Sequence, residues 1–374
     1  MSKSAGSRDS SSSSTKNHAD KFLDGLIPSG FNKGSCLSRY ESYLYSKVSP
    51  YKPSPFLISK LRNYEDLHRR CGPHTRAYKR TMVHLNSFKS KVTTTTTTTT
   101  TRSCKYIVWK HVNGLGNRMV SIAATFLYAI LTDRVLLVKF QDDMVGLFCE
   151  PFLNSSWLLP NGKEFPFSTD DNGKKDFETY DSVMKRDRKN NSKELLLPSV
   201  MHLKIEHTDD EHEMFFSCDH NQNLLHKVPI LILRSDQYFV PSLFMGPSFG
   251  QELRKMFPNK ETVFHHLGRY LFFPSNDVWG QIKRFYQAYL AKADEKIGIQ
   301  SLGGLKPWVL YKLLDNNLPD SPCVQDVSME PCYHIPPKLD CKEKPIDDDV
   351  GKAFPYMRRC VDYGSGVKLV NDLQ

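Results

Sequence analysis

Tyr106-Ile-Val-Trp109, Asn113-Gly-Leu-Gly-Asn-Arg118, the run from Met119 to Leu131, and Arg134-Val-Leu-Leu-Val-Lys139 follow one another, and their order decides the fold. A short apolar run of β-branched and aromatic residues reads as a buried strand. The glycine-rich stretch reads as a turn, the alanine-containing apolar run as a helix, and the last run as a second strand. Strand, turn, helix, strand is a βαβ unit, whose two strands run parallel. Val228-Pro-Ile-Leu-Ile-Leu-Arg234 and Lys296-Ile-Gly-Ile-Gln300 read as further strands, with a helix over Val278 to Ala293 between them. The fold class is therefore α/β.

Outward from this unit the pattern weakens. Ser-Pro-Tyr-Lys-Pro-Ser-Pro (49–55) resists regular structure, and Phe56 to Arg69 follows as an amphipathic helix with Leu57, Leu61 and Tyr64 on one face. The organisation read from composition is a disordered Ser-rich tail (1–21), a basic stem or cap region (22–92) and a run of threonines (93–101) as linker or O-glycan stalk. A first Rossmann-like domain spans 102–292. The remnant of a second, with a Cys/Pro-rich tail, spans 293–374; Lys306 to Tyr311 begins its last regular element.

Hydrophobic residues at 39% and charged residues at 25% of 374 are globular values, which excludes a wholly disordered or collagen-like chain. The longest apolar run, Met119 to Thr132, falls short of the roughly 20 residues a membrane span needs, which excludes a polytopic membrane protein. The net charge of +10 is concentrated at the front, where residues 1–110 carry 20 Lys+Arg against 6 Asp+Glu. Such a half could face nucleic acid, an anionic membrane or acidic ligands, or be a plain solvated surface; no nucleic-acid module accompanies it. Nine scattered cysteines, without Cys-x-x-Cys spacing, fit a secreted or lumenal protein better than a metal or redox site. Sequons at Asn154 and Asn190 point the same way. The start of the chain has no apolar segment of a signal peptide or anchor, which by itself points to the cytosol.

For chemistry, Gly114 and Gly116 would let the backbone turn sharply off the strand and expose amides at a helix N-terminus, where anions or sugar hydroxyls can be held. Asn117 and Arg118 stand at the mouth of this turn. The third glycine of the dinucleotide fingerprint is missing, which disfavours a nicotinamide cofactor; the plain alternative is a tight strand-to-helix connection. Asp236, just past an apolar strand, lies where open α/β sheets place ligands. Phe264-His-His-Leu-Gly-Arg-Tyr270 sets two histidines beside Arg269. The histidines at 202, 207, 212, 220 and 226 match no metal-ligand spacing, and the aromatics from Tyr238 to Phe244 read as core.

Several of these blocks occur together: Asn113-Gly-Leu-Gly-Asn-Arg118, Thr132-Asp-Arg-Val-Leu-Leu-Val138, Leu147-Phe-Cys-Glu-Pro-Phe152, Asp236-Gln-Tyr-Phe-Val-Pro-Ser-Leu243, Val263 to Leu271 and Ala293 to Gln300. Leu302-Gly-Gly-Leu-Lys-Pro-Trp308, Ser328-Met-Glu-Pro-Cys332, Asp24 to Phe31 and Cys36 to Tyr40 complete the set. In this combination the chain closely resembles the plant xyloglucan fucosyltransferases, the galactoside 2-α-L-fucosyltransferases of glycosyltransferase family 37. The resemblance runs from Phe22 to Val370 apart from the threonines. It implies a GT-B type fold of two Rossmann-like domains with the active site in the cleft between them. It also implies inverting, metal-independent transfer of L-fucose from GDP-fucose to the 2-hydroxyl of galactose on xyloglucan or an arabinogalactan, with no other cofactor. Members are Golgi type II membrane proteins; here a membrane enters only through an anchor this sequence does not carry, and nucleic acid is not a partner.

In the family, the segment at Gly298-Ile-Gln300 continues into an Ile-Gln-x-Arg motif that grips the donor diphosphate, followed by most of the nucleotide-binding domain. In this chain Gln300 runs directly into Ser301-Leu302-Gly303. The expectation is an internal deletion that leaves the second domain severely truncated and the activity of this chain in doubt. The alternative to a working fucosyltransferase is an inactive member that at most binds glycan. The substrate-binding residues expected are Gly114, Gly116, Asn117, Arg118, Asp236 and Arg269. No general base is assigned.

Overall fold

The computed structural model describes residues 22–45, 48–87, 104–169, 178–189, 197–206, 218–292 and 330–331. Its framework is a parallel sheet of β1 (Lys105–Lys110), β2 (Arg134–Lys139), β3 (Glu178–Thr179), β4 (Val200–Ile205) and β5 (Ile230–Ser235), in the spatial order β2-β1-β5-β4-β3. The helices are α1 (Leu37–Glu41), α2 (Pro55–Cys71), α3 (Arg76–Ser87), α4 (Leu115–Leu131), α5 (Tyr180–Lys189), α6 (Asp219–Lys227), α7 (Val240–Met245), α8 (Pro247–Met256), α9 (Val263–Leu271) and α10 (Asn276–Phe285). The last runs into a π-helical turn, Tyr286–Leu290.

Both faces of the sheet are covered, which is why its central strands read as continuous apolar runs. Ile107, Trp109, Leu136, Val138, Leu231 and Leu233 join the core built with α2, α4 and α7 to α9. Tyr106, Val108, Val135, Leu137, Ile230 and Ile232 point the other way, into a smaller core with Tyr78, Met82 and Leu85 of α3. The parallel α/β expectation holds. The second Rossmann-like domain lies outside the described residues. So do the Ser-rich tail, the threonine run, Asn190, His207, His212, the Lys296–Gln300 strand and the Lys306–Tyr311 element.

Two boundaries differ from the sequence reading. Helix α4 begins at Leu115 rather than Met119, because its exposed first turn carries none of the apolar pattern that marks the buried turns. The helix expected through Ala293 is α-helical only to Phe285 before the π turn.

An edge strand needs its outward polar groups satisfied, and β2 gets this from α2. Tyr64 Oη accepts from the Leu136 amide at 2.8 Å, and His68 Nε2 donates to the Leu136 carbonyl at 3.1 Å. The Val138 amide and carbonyl are bound by Trp157 and Leu159 backbone at 2.7 and 3.0 Å. His68 is sealed in, its Nδ1 accepting from Ser155 Oγ at 2.7 Å and its ring centred 4.2 Å from that of Phe152. At the N-terminal end of the sheet the fully buried Arg134 donates to the carbonyls of Tyr106 and Pro229 at 3.3 Å and of Leu225 at 2.5 Å. Burial pushes this guanidinium down to about 10.

Disulfides staple the periphery: Cys36 to Cys149, and Cys71 to Cys104 across the segment that contains the threonine run; Cys218 is disulfide-bonded as well. Beside the first staple, the guanidinium of Arg39 lies 3.7 Å from the centre of the Phe31 ring and donates to the Glu150 carbonyl at 2.7 Å. Residues 22–87 are thereby packed onto the sheet domain through α1, α2 and α3. Among the described residues no helix is long and apolar enough to cross a membrane.

Burial lowers His68 from 6.5 to about 4. The unfolded chain takes up that proton near pH 6.5 and the folded one only near 4, so the stability it contributes is present above 6.5 and lost as pH falls toward 4. His68→Gln should lower stability by about 2–3 kcal/mol at neutral pH by leaving the strand edge and Ser155 poorly paired. Between those pH values its stability should fall less steeply than the parent's, by up to about 1.4 kcal/mol per pH unit. Urea unfolding at a series of pH values measures both; equal slopes would show that His68 is not held neutral.

Candidate functional site

Strands β1 and β5 are neighbours running in the same direction, so the loops leaving their C-terminal ends meet. In the first loop Asn113 takes the left-handed conformation, φ 59°, which asparagine tolerates better than most residues. Its side-chain amide donates to Asp236 Oδ2 in the second loop, and its carbonyl accepts from Arg118 Nε at 2.7 Å. Arg118, buried on the first turns of α4, also places Nη1 2.8 Å from both oxygens of Asp143 and Nη2 3.2 Å from Gln141 Oε1. Asp236 Oδ1 accepts from Gln237 Nε2 at 2.8 Å, and the Gln237 amide bonds Ser235 Oγ at 3.0 Å. One chain of hydrogen bonds thus runs Arg118–Asn113–Asp236–Gln237 across the end of the sheet.

The glycines act differently from the sequence expectation. Gly114 sits at φ −75°, ψ 171° as the N-cap of α4, and Gly116 lies within the helix, so neither uses the left-handed region; Asn113 makes the sharp turn. What the glycines provide is bare space. A Cβ at Gly114 or Gly116 would meet nothing within 4 Å, and residues 113–116 are exposed. No side chain caps the helix, so the first amides of α4 face outward at the positive end of its dipole. Asn117 is half-buried on the same turn.

The exits of β1 and β5 also carry acceptors that the sequence reading did not single out. Gln237 is 1% exposed, and its Oε1 is buried without a hydrogen-bond partner. His111 Nδ1 is likewise buried and unpartnered, while the ring bonds the Lys139 backbone. Burial, then the charge of Arg118, lowers the His111 pKa and keeps the imidazole neutral. The site therefore offers outward amides for an anion or hydroxyl oxygen, and buried acceptors for hydroxyl protons. Adjacency to Asp236 was the only sequence signal for Gln237.

Five of the six expected binding residues, Gly114, Gly116, Asn117, Arg118 and Asp236, are gathered here. Arg269 is not brought to this loop. It donates to His265 Nε2 at 3.1 Å, with Asp24 as its acidic neighbour, and Ser49 Oγ shares the same nitrogen at 2.8 Å. His265 and His266 are both lowered to about 4, chiefly by burial. Asn154 is exposed in a turn at φ 56°. Tyr238, Phe239, Val240 and Leu243 are core residues, as expected. Among the described residues no group of three or more His, Cys, Asp or Glu is placed to hold a metal ion.

The sequence matches the family model of xyloglucan fucosyltransferase over residues 2–302 and 300–342. It is 38% identical to fucosyltransferase 2 of Arabidopsis thaliana over 480 residues, covering 94% of this chain and 87% of the relative. With the galactoside 2-alpha-L-fucosyltransferase of Pisum sativum it shares 35% over 480 residues, covering 94% and 82%. The chain belongs to the xyloglucan fucosyltransferase family. A solved structure of an Arg-to-Lys mutant of Arabidopsis thaliana FUT1 in complex with GDP superposes with a TM-score of 0.66 at 46% identity, covering 79% of this chain and 64% of that one. The parallel sheet described above thus sits in a fold shared with a family member. Both alignments are longer than the 374 residues of this chain, so each relative has residues without a counterpart here. The two segments matched to the family model meet at residues 300–302.

Two glycine substitutions separate a ligand role from a folding role. Gly116→Ala should leave the protein as stable as the parent, or more stable by up to about 1 kcal/mol, since it adds a helix former in open space. Gly72→Ala should cost about 2–4 kcal/mol, because its methyl would collide with the His68 carbonyl and Ser155 Oγ at the end of α2. Thermal or urea unfolding measures both. A loss above about 1 kcal/mol in Gly116→Ala would mean that the fold needs this glycine.

Proposed function

We propose that the loop site at the ends of β1 and β5 serves transfer of L-fucose from GDP-fucose to the 2-hydroxyl of a galactose on a cell-wall polysaccharide, xyloglucan or an arabinogalactan. In this reading the chain retains the acceptor-side domain (102–292) with its stem (22–92), while 293–374 is a remnant of the donor-side domain. Inversion at the anomeric carbon and independence from metal are carried over from the family. The GDP complex of FUT1 supports a nucleotide-sugar donor. On the acceptor side, the Asp236 carboxylate, Gln237 Oε1 and His111 Nδ1 supply what a sugar bristling with hydroxyl protons needs. Gly114, Gly116 and Asn117 leave room for it beside the α4 amides, and Arg118 holds the loop in register. Arg269 is proposed as a contact from α9, on the side of the N-terminal segment.

The observation that carries the rest is the break at residues 300–302 in the family match, taken together with alignments to relatives that are longer than this chain. By family resemblance that stretch includes the arginine that grips the donor diphosphate. Loss of a charge-assisted clamp on the leaving group removes binding and transition-state stabilisation together. We infer that this chain binds the acceptor glycan but binds and turns over the donor poorly. The disulfides and the exposed sequon asparagine at 154 support a lumenal, Golgi setting with a glycan on that turn.

Calorimetry on the purified chain with GDP, GDP-fucose and a galactosylated xyloglucan oligosaccharide tests this. The expected result is oligosaccharide binding, no micromolar affinity for either nucleotide, and no transfer of radiolabelled fucose. Micromolar nucleotide binding or steady turnover would overturn the donor-side reading, and absence of oligosaccharide binding the acceptor-side one.

A further inference from the structure

Glu330 is buried, only 5% exposed. Its carboxyl lies where two elements of the sheet domain converge. The Tyr238 hydroxyl, just past the Asp236–Gln237 corner, donates to one oxygen, and the Phe264 amide on the first turn of α9 donates to the other at 2.6 Å. The Val263 amide also points to the carboxyl. The rings of Tyr238 and Phe264 meet edge to face, 6.0 Å apart. An acidic side chain at a helix N-terminus is favoured by the dipole and by amides that lack a helical partner. Here it comes from a residue 66 positions after Phe264 in the chain.

We propose that Glu330 is a positioning residue, a clamp that holds the exit of β5, with Asp236 and Gln237, in its binding conformation. Tyr238 is the lever: a single residue, Gln237, separates it from Asp236, and its hydroxyl is held by Glu330 on the far side. The acceptor corner is therefore completed by residues from both sides of the junction, whether or not the donor-side residues are present. That consequence rests on the acceptor reading of the Asp236–Gln237 corner; the clamp does not.

The titratable groups facing the Glu330 carboxyl are Tyr238 and Glu261. Burial, against the Tyr238 bond, raises Glu330 from 4.5 to about 8, so its contribution is complete below the unfolded value and is lost as pH rises through 8. Hydrogen exchange on the full chain, corrected for intrinsic rates, reads this directly. Glu330→Ala should speed exchange about tenfold in residues 236–245 and 263–268 while β1 and α4 keep their protection. Tyr238→Phe, which removes only the hydroxyl, should do the same to a smaller extent and keeps the test open should the alanine variant misfold. Protection of the corner should weaken in the parent as pH rises from about 4.5 to about 8 and level off above that, and stay level throughout in Glu330→Gln. Unchanged exchange, a uniform rise across the whole sheet, or an identical pH profile in Glu330→Gln would each overturn the clamp. A clamp upheld by exchange, in a chain that binds no oligosaccharide, would instead refute the acceptor reading.

Discussion

The C-terminal end of the sheet is bridged between loops by a bond from the Asn113 side-chain amide to the Asp236 carboxylate. A parallel sheet collects its strand exits on one edge, and no ladder hydrogen bonds extend beyond that edge to fix the loops. Side chains must take over. Asn113 does so because its left-handed backbone turns the side chain back over β5 while its carbonyl is anchored by Arg118. Arg118 in turn is neutralised by Asp143, so the loop is built from paired charges rather than presenting a bare guanidinium. Any anion that approaches meets the amides of α4 first and the arginine only by displacing Asp143.

The opposite end of the sheet is organised by the reverse logic. Arg134 is held by main-chain carbonyls of β1, of the residue before β5, and of the last turn of α6. Carbonyls at a helix C-terminus carry partial negative charge, so this is a favourable place for a cation even without a carboxylate. The result is a closed base and an open top. Paired charges and exposed amides at the top leave room for chemistry, whereas the base has none to spare.

What the sequence made legible follows from this division. Central strands, the βαβ unit and the glycine loop could be read because burial on two faces writes continuous apolar runs and because a short loop must carry turn chemistry. Helix α4 was read four residues short, since Leu115 and Gly116 are exposed and Asn117 and Arg118 are polar, so the first turn carries no apolar pattern. Strand β4 escaped notice because His202 and Lys204 interrupt its apolar residues at the weakly covered side of the sheet. Gln237 and His111 were invisible for a different reason. A buried acceptor without a donor is a property of three-dimensional placement, and no residue type or spacing announces it. The same holds for Arg269, whose proximity to histidines in sequence proved real, but whose acidic neighbour comes from Asp24 at the far end of the described chain.

The junction at 300–302 bears on how the domain stays whole. Large apolar side chains on α10 and the turn after it are exposed: Ile282, Phe285 and Tyr289. Yet the rest of the unit is closed by its own contacts. The Cys36–Cys149 staple, the contact of Trp279 and Lys283 with Glu41, and the bonds of Ser38 and Leu37 to Pro274 and Asn276 tie α10 to the N-terminal segment. Helices α2 and α3 seal one edge and one face of the sheet. These contacts join residues on the N-terminal side of the junction to one another. The sheet domain therefore has its own core and its own covalent ties, and these hold it together without residues beyond the junction.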